Sequence, residues 1–321
     1  MALGIFYAIL SGLSWIAVGA VVGLAEKRGC GSTRQQLVSN TLSGTISLLV
    51  LGAGLLLRPD ADAFSLRCDW PSALWMLLCG YLNFWMVVYM GKAMLRGPNG
   101  IVWTIVQSGF IFSFTLGVVM GNTRLTALNV AGAVCVFAGV VFCGQAKSAG
   151  QTAARSASGG WLGPALAGFV LCGINQCAAC MATMGPVETR PTPLLRILLI
   201  VAGSLMGVLP HMFMPDIMQG KGRILPKSPA EKADLRAKYL YLLKICGIGS
   251  AIFFLSSFFF QFNAYDLLEA AGRISIVNST MLAACLVGFG VYGAVFLHER
   301  LSPAQIFGTL FALAGIVLVS L

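Results

Sequence analysis

The residues able to bind a ligand recur on helical faces inside otherwise apolar stretches. Tyr81, Trp85, Tyr89, Lys92 and Arg96 follow one another at spacings of four, four, three and four, which aligns them along one side of a helix. Asn99, Trp103 and Gln107 repeat the idea in the next stretch, and Gln261, Tyr265 and Glu269 in a later one. Asp266 lies a step round from that last face, and Arg273 one turn beyond Glu269. Trp15 with Ser11 and Ser14, Asn175 with Gln176, and Asn278 with Ser279 complete the set. Amides, hydroxyls and aromatic rings suit a polar, largely uncharged ligand, with rings packing on its apolar face. A lone Asn or Gln more often ties helix to helix, at about 0.6–2 kcal/mol, whereas whole polar faces favour binding. The expected substrate contacts are Trp15, Tyr81, Trp85, Tyr89, Trp103, Gln107, Gln176, Gln261, Tyr265 and Asn278.

Ionisable groups within such stretches are rare and are usually paired or functional. Lys92, Asp266, Glu269 and Arg273 are therefore the expected proton-coupling or ion-pair residues. Their structural alternative is a place in headgroup water, with Glu269 bridging to Arg273 at i,i+4. Cys177-Ala-Ala-Cys180 has a CxxC spacing, but no second pair or histidine lies near it in sequence, and only His211 and His298 exist. Metal and redox chemistry are not expected. The absence of GxxxxGK[ST] and GxSxG patterns argues against a built-in ATPase or an esterase. No enzymatic activity and no cofactor are expected.

The elements that position these residues follow from composition. With 321 residues, 58% hydrophobic and 10% charged, and a mean hydropathy of +0.85, the chain is too apolar for a soluble domain. Apolar runs long enough to cross a core of about 30 Å lie near 3–25, 37–57, 73–95, 98–121, 124–144, 160–184, 192–215, 239–262, 274–297 and 303–321. They are continuous rather than alternating, so helices are expected and not barrel strands. Tyr89, Thr104, Gly117, Val119, Arg124, Leu125, Gly132, Ala138, Gly139 and Val141 reappear 176 positions later, from Tyr265 to Val317, without a gap. Gly12, Thr33 and Arg34 match Gly168, Thr189 and Arg190 at a displacement of 156, so the second half carries about one extra loop before its third helix. The expected fold is an all-α integral membrane protein of about ten transmembrane helices. An odd number of spans per unit makes the five-helix repeats inverted, an architecture of many secondary transporters. Residues 1–144 would form the first repeat, 145–160 a Gly/Ala/Ser linker, and 161–321 the second. A polar cavity lined by helices 1, 3, 4, 6, 8 and 9 is expected between them.

Other features refine this picture. Ser228-Pro229-Ala230-Glu231, within the polar insertion Asp216–Lys238, reads as the start of a short surface helix. Gly19/Gly23, Gly117/Gly121 and Gly203/Gly207 mark close helix approaches. Fifteen of the 21 Lys and Arg fall in loops after odd-numbered helices, which places those loops in the cytoplasm and both termini outside. The net charge of +10 is thus explained by topology rather than by nucleic acid.

The segment from Leu297 to Gly308, with Glu299, Leu301, Gly308 and Gly315, resembles the closing signature of the drug/metabolite transporter superfamily, of the EamA-like type. Arg124, Leu125, Gly132 and Gly139 fit the same pattern in the first half, where Thr123 replaces the acid. Gly4-Ile-Phe-Tyr, the Gly80, Asn83 and Tyr89 series, and Phe258-Phe-Phe-Gln261-Phe are most similar to the rhamnose–proton and glucose/ribose transporter branch. The resemblance implies proton-coupled uptake of a neutral sugar by alternating access, and a superfamily topology with both termini inside, opposite to the charge count. An exporter of amino acids, drugs or other metabolites on the same fold is the alternative, and a non-transporting sensor or assembly protein the second. The expected partners are a small-molecule substrate, protons and the lipid bilayer of a bacterial inner membrane, with a homodimer left open.

Overall fold

The computed structural model describes residues 1–58, 61–120, 126–145, 160–185, 188–213, 229–246, 248–270, 274–296, 298 and 302–320. Apart from one turn of 3-10 helix, the regular elements there are α-helices: α1 (Ala2–Lys27), α2 (Ser32–Leu57), α3 (Trp70–Arg96), α4 (Asn99–Gln107), α5 (Phe110–Val119), α6 (Ala127–Gln145), α7 (Leu162–Thr183), α8 (Pro193–Phe213), α9 (Pro229–Cys246), α10 (Ile248–Glu269), α11 (Ser275–Val295) and α12 (Pro303–Ser320). Seven helical stretches, counting α4 with α5 as one, are long and apolar enough to cross a membrane, as a multi-pass membrane protein requires. Most of the linker, 146–159, and Arg273 lie outside the described residues.

Two expected spans differ from what forms. The run 98–121 is broken at Ser108–Gly109, where Gly109 N–H bonds the Val106 carbonyl at 3.2 Å, a tightened turn, and the Ser108 hydroxyl donates to the Thr104 carbonyl at 2.8 Å. A Ser/Gly pair is a common site for such a break. Here a Cβ on Gly109 would press into the Phe169 carbonyl oxygen of α7. The run 239–262 is shared between α9 and α10, and Gly247 between them lies outside the described residues. Residues 239–246 belong to α9, which starts at Pro229 with Glu231 in its first turn and runs longer than the short surface helix expected. Tyr239, Tyr241 and Leu242 are apolar enough to extend a membrane span on paper, but they pack on Val21, Ala25 and Val38 of α1 and α2.

Helix directions follow from which residues touch. A Cβ on Gly139 of α6 would meet the Gly308 carbonyl oxygen and Ala312 nitrogen of α12, and one on Gly315 would meet the Gly132 carbonyl oxygen and Val136 nitrogen. Rising numbers on one helix face falling numbers on the other, so α6 and α12 are antiparallel. The pair α3 and α8 is antiparallel too: Gly80 abuts Ile200 while Gly203 abuts Leu77. So are α1 and α10, joined by the Ser11 hydroxyl on the Ser257 carbonyl at 2.8 Å, with Gly4 against Leu267 and Leu268. The pair α3 and α7 runs the same way, with Ser72 near Ala182 and Cys79 near Asn175. By contrast α1 and α11 are parallel, Gly12 lying against Met281 and Gly19 against Phe289, and so are α5 and α7, Gly109 lying against Phe169 and Ser113 against Gln176. Close approaches thus occur at Gly19 and Gly203, while Gly121 lies outside the described residues.

The start of α3 is fixed by Asp69, whose carboxylate accepts the Ser72 N–H at 3.1 Å, with Pro71 in the first turn. Burial pushes the Asp69 pKa up, hydrogen bonds to its carboxylate, first those from Ser72, pull it down, and the net displacement is downward.

Candidate functional site

Six helices converge on a cavity of about 30 Å³ at the centre of the bundle. Its wall is made by Trp15 of α1, Cys79, Asn83 and Met86 of α3, Gln107 of α4, Cys172, Asn175, Gln176 and Ala179 of α7, Phe258, Gln261 and Phe262 of α10, and Met281 of α11. These helices cover the first, third, fourth, sixth, eighth and ninth expected spans. No charged side chain is among the lining residues. The volume is on the order of one or two waters.

Gln261, Gln176, Cys172 and Gln107 of the wall belong to one hydrogen-bonded chain that runs across the helices. Gln261 Nε2 donates to Tyr265 Oη at 3.2 Å, and Tyr265 Oη donates to Asn278 Oδ1 at 2.5 Å. Asn278 Nδ2 donates to Ser113 Oγ at 2.8 Å, and Ser113 Oγ reaches Gln176 Oε1 at 3.4 Å. Gln176 Nε2 then meets Cys172 Sγ at 3.3 Å, and that thiol faces Gln107 Oε1 at 3.8 Å. The Cys79 thiol donates to Asn175 Oδ1 at 2.6 Å. A buried polar network of this kind rigidifies its surroundings when its members are paired. The break between α4 and α5 lies between Gln107 and Ser113, and it aims both at the network.

The expected contacts divide into three groups. Trp15, Gln107, Gln176 and Gln261 line the cavity. Tyr265 and Asn278 stand one bond behind its wall, holding Gln261 and Ser113 rather than facing the space. Tyr81, Trp85, Tyr89 and Trp103 are elsewhere. The first three form a ladder of rings 6.4–6.5 Å apart along another face of α3, with Tyr81 exposed. Trp103 stacks on Phe289 at 4.9 Å and donates Nε1–H to Cys285 Sγ at 3.1 Å, filling the α4–α11 interface. The face of α3 that meets the cavity is Cys79, Asn83 and Met86, offset from the aromatic stripe. Asn83 is the residue sequence reasoning left out of the site, although it is the one amide within the α3 run. Its two polar atoms, together with Trp15 Nε1 and Gln261 Oε1, have no hydrogen-bond partner among the described residues. Leaving such a group unpaired costs about 1–3 kcal/mol.

The ionisable residues lie at two different ends of the bundle. Lys92 lies over the Tyr89 ring at 5.1 Å, at the same end of the bundle as Glu26, whose carboxylate accepts the Ser32 N–H at 2.6 Å and packs on Gly91. Asp266 and Glu269 are at the other end, where α10 ends beside the start of α1. Asp266 Oδ1 bridges Arg196 Nη2 at 2.8 Å and Arg190 Nη1 at 3.4 Å, and Glu269 Oε2 takes Arg190 Nη1 at 3.3 Å. The expected partner Arg273 lies outside the described residues. Arg196 is 1% exposed and also sits over the ring of Phe262 at 5.4 Å, so the ion cluster touches the cavity wall from behind. The side chain of His211 lies outside the described residues.

No family model and no curated protein matches the chain. A solved structure described as "Crystal structure of protein" is similar at a TM-score of 0.57 and 16% identity, over 97% of this chain and 95% of that one. At this identity the likeness speaks for the fold alone.

Proposed function

We propose that the chain is a secondary active transporter of the drug/metabolite transporter kind, in which two inverted five-helix repeats enclose a central site for a small neutral polar metabolite. The observation that carries this reading is the reciprocity of the helix contacts. Exchanging the first five spans for the second five turns α1–α10 into α7–α3, α1–α11 into α7–α5, and α6–α12 into itself. Two helices exchanged by a twofold axis along their length would be parallel. The antiparallel α6–α12 crossing therefore supports an axis across the helices, in the membrane plane, as in inverted-repeat transporters. The cavity lies where the two halves meet, and its uncharged amide and aromatic lining suits a neutral polar solute such as a sugar.

Alternating access then consists of opening the bundle to one side at a time. Asp266 and Glu269, clamped by Arg190 and Arg196, are the carboxylates placed to link opening to protonation. The charge count puts the termini outside. The test is uptake of a labelled monosaccharide panel by proteoliposomes in right-side-out and inverted membranes, with and without a proton gradient. Accumulation that follows the gradient supports the reading. Absence of both accumulation and counterflow for every sugar rules it out, and outward movement of amino acids or drugs instead would identify an exporter.

A further inference from the structure

The cavity wall holds hydrogen-bonding atoms that have no partner among the described residues, and they belong to three different helices. Asn83 of α3 is 1% exposed and pairs neither Oδ1 nor Nδ2; Trp15 of α1 leaves Nε1 unpaired, and Gln261 of α10 leaves Oε1 unpaired. All three residues line the one central cavity. The neighbouring Tyr265, Asn278, Ser113 and Gln176 are by contrast bonded to each other. Buried unpaired groups are uncommon in folded proteins and each needs a reason. Convergence on a single space supplies one.

Building on the transporter reading above, we infer that Asn83, with Trp15 Nε1 and Gln261 Oε1, is the recognition subsite for two adjacent hydroxyl groups of an uncharged ligand. Asn83 offers two N–H donors and one acceptor oxygen, Trp15 one donor and Gln261 one acceptor. A hydroxyl brings one donor and two lone pairs. One hydroxyl can donate to Asn83 Oδ1 while its neighbour accepts from Nδ2, and the remaining valences reach Gln261 Oε1 and Trp15 Nε1. A carboxylate has no proton for the two amide oxygens, and an ammonium has no acceptor for the two N–H groups. Either charge would also be desolvated without a counter-ion, because no charged side chain lines the space. The rings of Trp15, Phe258 and Phe262 remain for the ligand's C–H face.

The variant that tests this is Asn83→Leu, close in shape and without polar atoms. Melting of the purified full-length protein is followed with no ligand and with D-glucose, D-xylose and glycerol, and with D-gluconate and D-glucosamine as charged counterparts. A residue whose polar atoms bond the protein would destabilise on replacement, whereas removal of an unpaired buried amide raises the melting temperature of the empty protein. The expected result is that rise, together with stabilisation of the parent by at least one neutral polyol and by neither charged sugar, and a loss of about 10-fold or more in its half-saturating concentration for the variant. A lower melting temperature for the empty variant, an unchanged ligand response, equal binding of gluconate, or no response of the parent to any neutral polyol each overturns the assignment. The transport reading fails separately, if a sugar that binds the parent is not exchanged across proteoliposomes.

Discussion

Replacing Asp266 by Asn should do more damage than replacing its neighbour Glu269 by Gln, although both carboxylates are about one-third exposed, at 31% and 33%. The difference lies in their partners. Asp266 alone reaches Arg196, which is 1% exposed, so its neutralisation leaves a guanidinium deep in the protein facing an amide. Breaking a fully buried pair costs about 3–5 kcal/mol, and an exposed pair is worth about 0–1 kcal/mol. With one buried and one half-buried partner, about 1–3 kcal/mol is expected for Asp266→Asn. Glu269→Gln removes only the 3.3 Å contact to Arg190, which keeps Asp266, and about 0.5 kcal/mol is expected from the exposed-pair range. Because Arg196 also sits on Phe262 of the cavity wall, the larger loss should carry into ligand affinity, while Glu269→Gln should leave counterflow exchange near the parent level and lower gradient-driven accumulation. Chemical denaturation in a fixed detergent gives the stabilities, and proteoliposome assays give the two transport modes. Equal stability losses for the two variants, or an Asp266→Asn protein that accumulates sugar like the parent, would refute the assigned hierarchy.

Tyr89→Ala, away from the cavity, should change ligand affinity less than 2-fold, whereas Gln107→Ala and Gln176→Ala should each weaken it about 10-fold through one lost polar contact, as measured by ligand-induced melting. Substituting Val at Gly139, which abuts the Gly308 carbonyl, should separate α6 from α12 and destabilise by about 1–3 kcal/mol, with Gly315→Val behaving alike; denaturant titration of the two variants checks this. A cysteine at Lys232 of α9, in a cysteine-free background, should resist an impermeant thiol reagent in intact cells if the charge count orients the protein correctly, and labelling without lysis would reverse the topology. Asp69→Ala should cost about 1 kcal/mol at neutral pH. Since the folded pKa of Asp69 is depressed, its contribution is complete above the ordinary aspartate value near 4 and fades as the pH falls through the lowered one, so the variant's deficit should shrink in acid.

Most of the helix positions were readable because a long apolar run has few alternatives in a membrane. The two departures have a common cause. Hydropathy does not register a turn, so Ser108–Gly109 does not interrupt the signal and only the contact with α7 reveals it; nor does hydropathy show that residues 239–246 continue a helix begun in the polar insertion and pack on α1 and α2. The site was half legible for a related reason. A 3.6-residue period aligns Tyr81, Trp85 and Tyr89 and equally aligns Cys79, Asn83 and Met86, and nothing in one sequence says which stripe turns inward. The aromatic stripe stood out chemically, but in a lipid-facing helix rings are at ease outside, and the small polar stripe is the one the bundle encloses.

A cavity on the order of one or two waters also makes the surrounding lipid a participant. If the proposed transport of a solute of monosaccharide size holds, the bundle must swell to admit it, and a swelling bundle pushes aside acyl chains along its exposed faces, where Leu48, Val134 and Phe307 stand. Each cycle would then do mechanical work against lateral pressure in the bilayer, so its speed would depend on how tightly the lipids are packed as well as on the ligand.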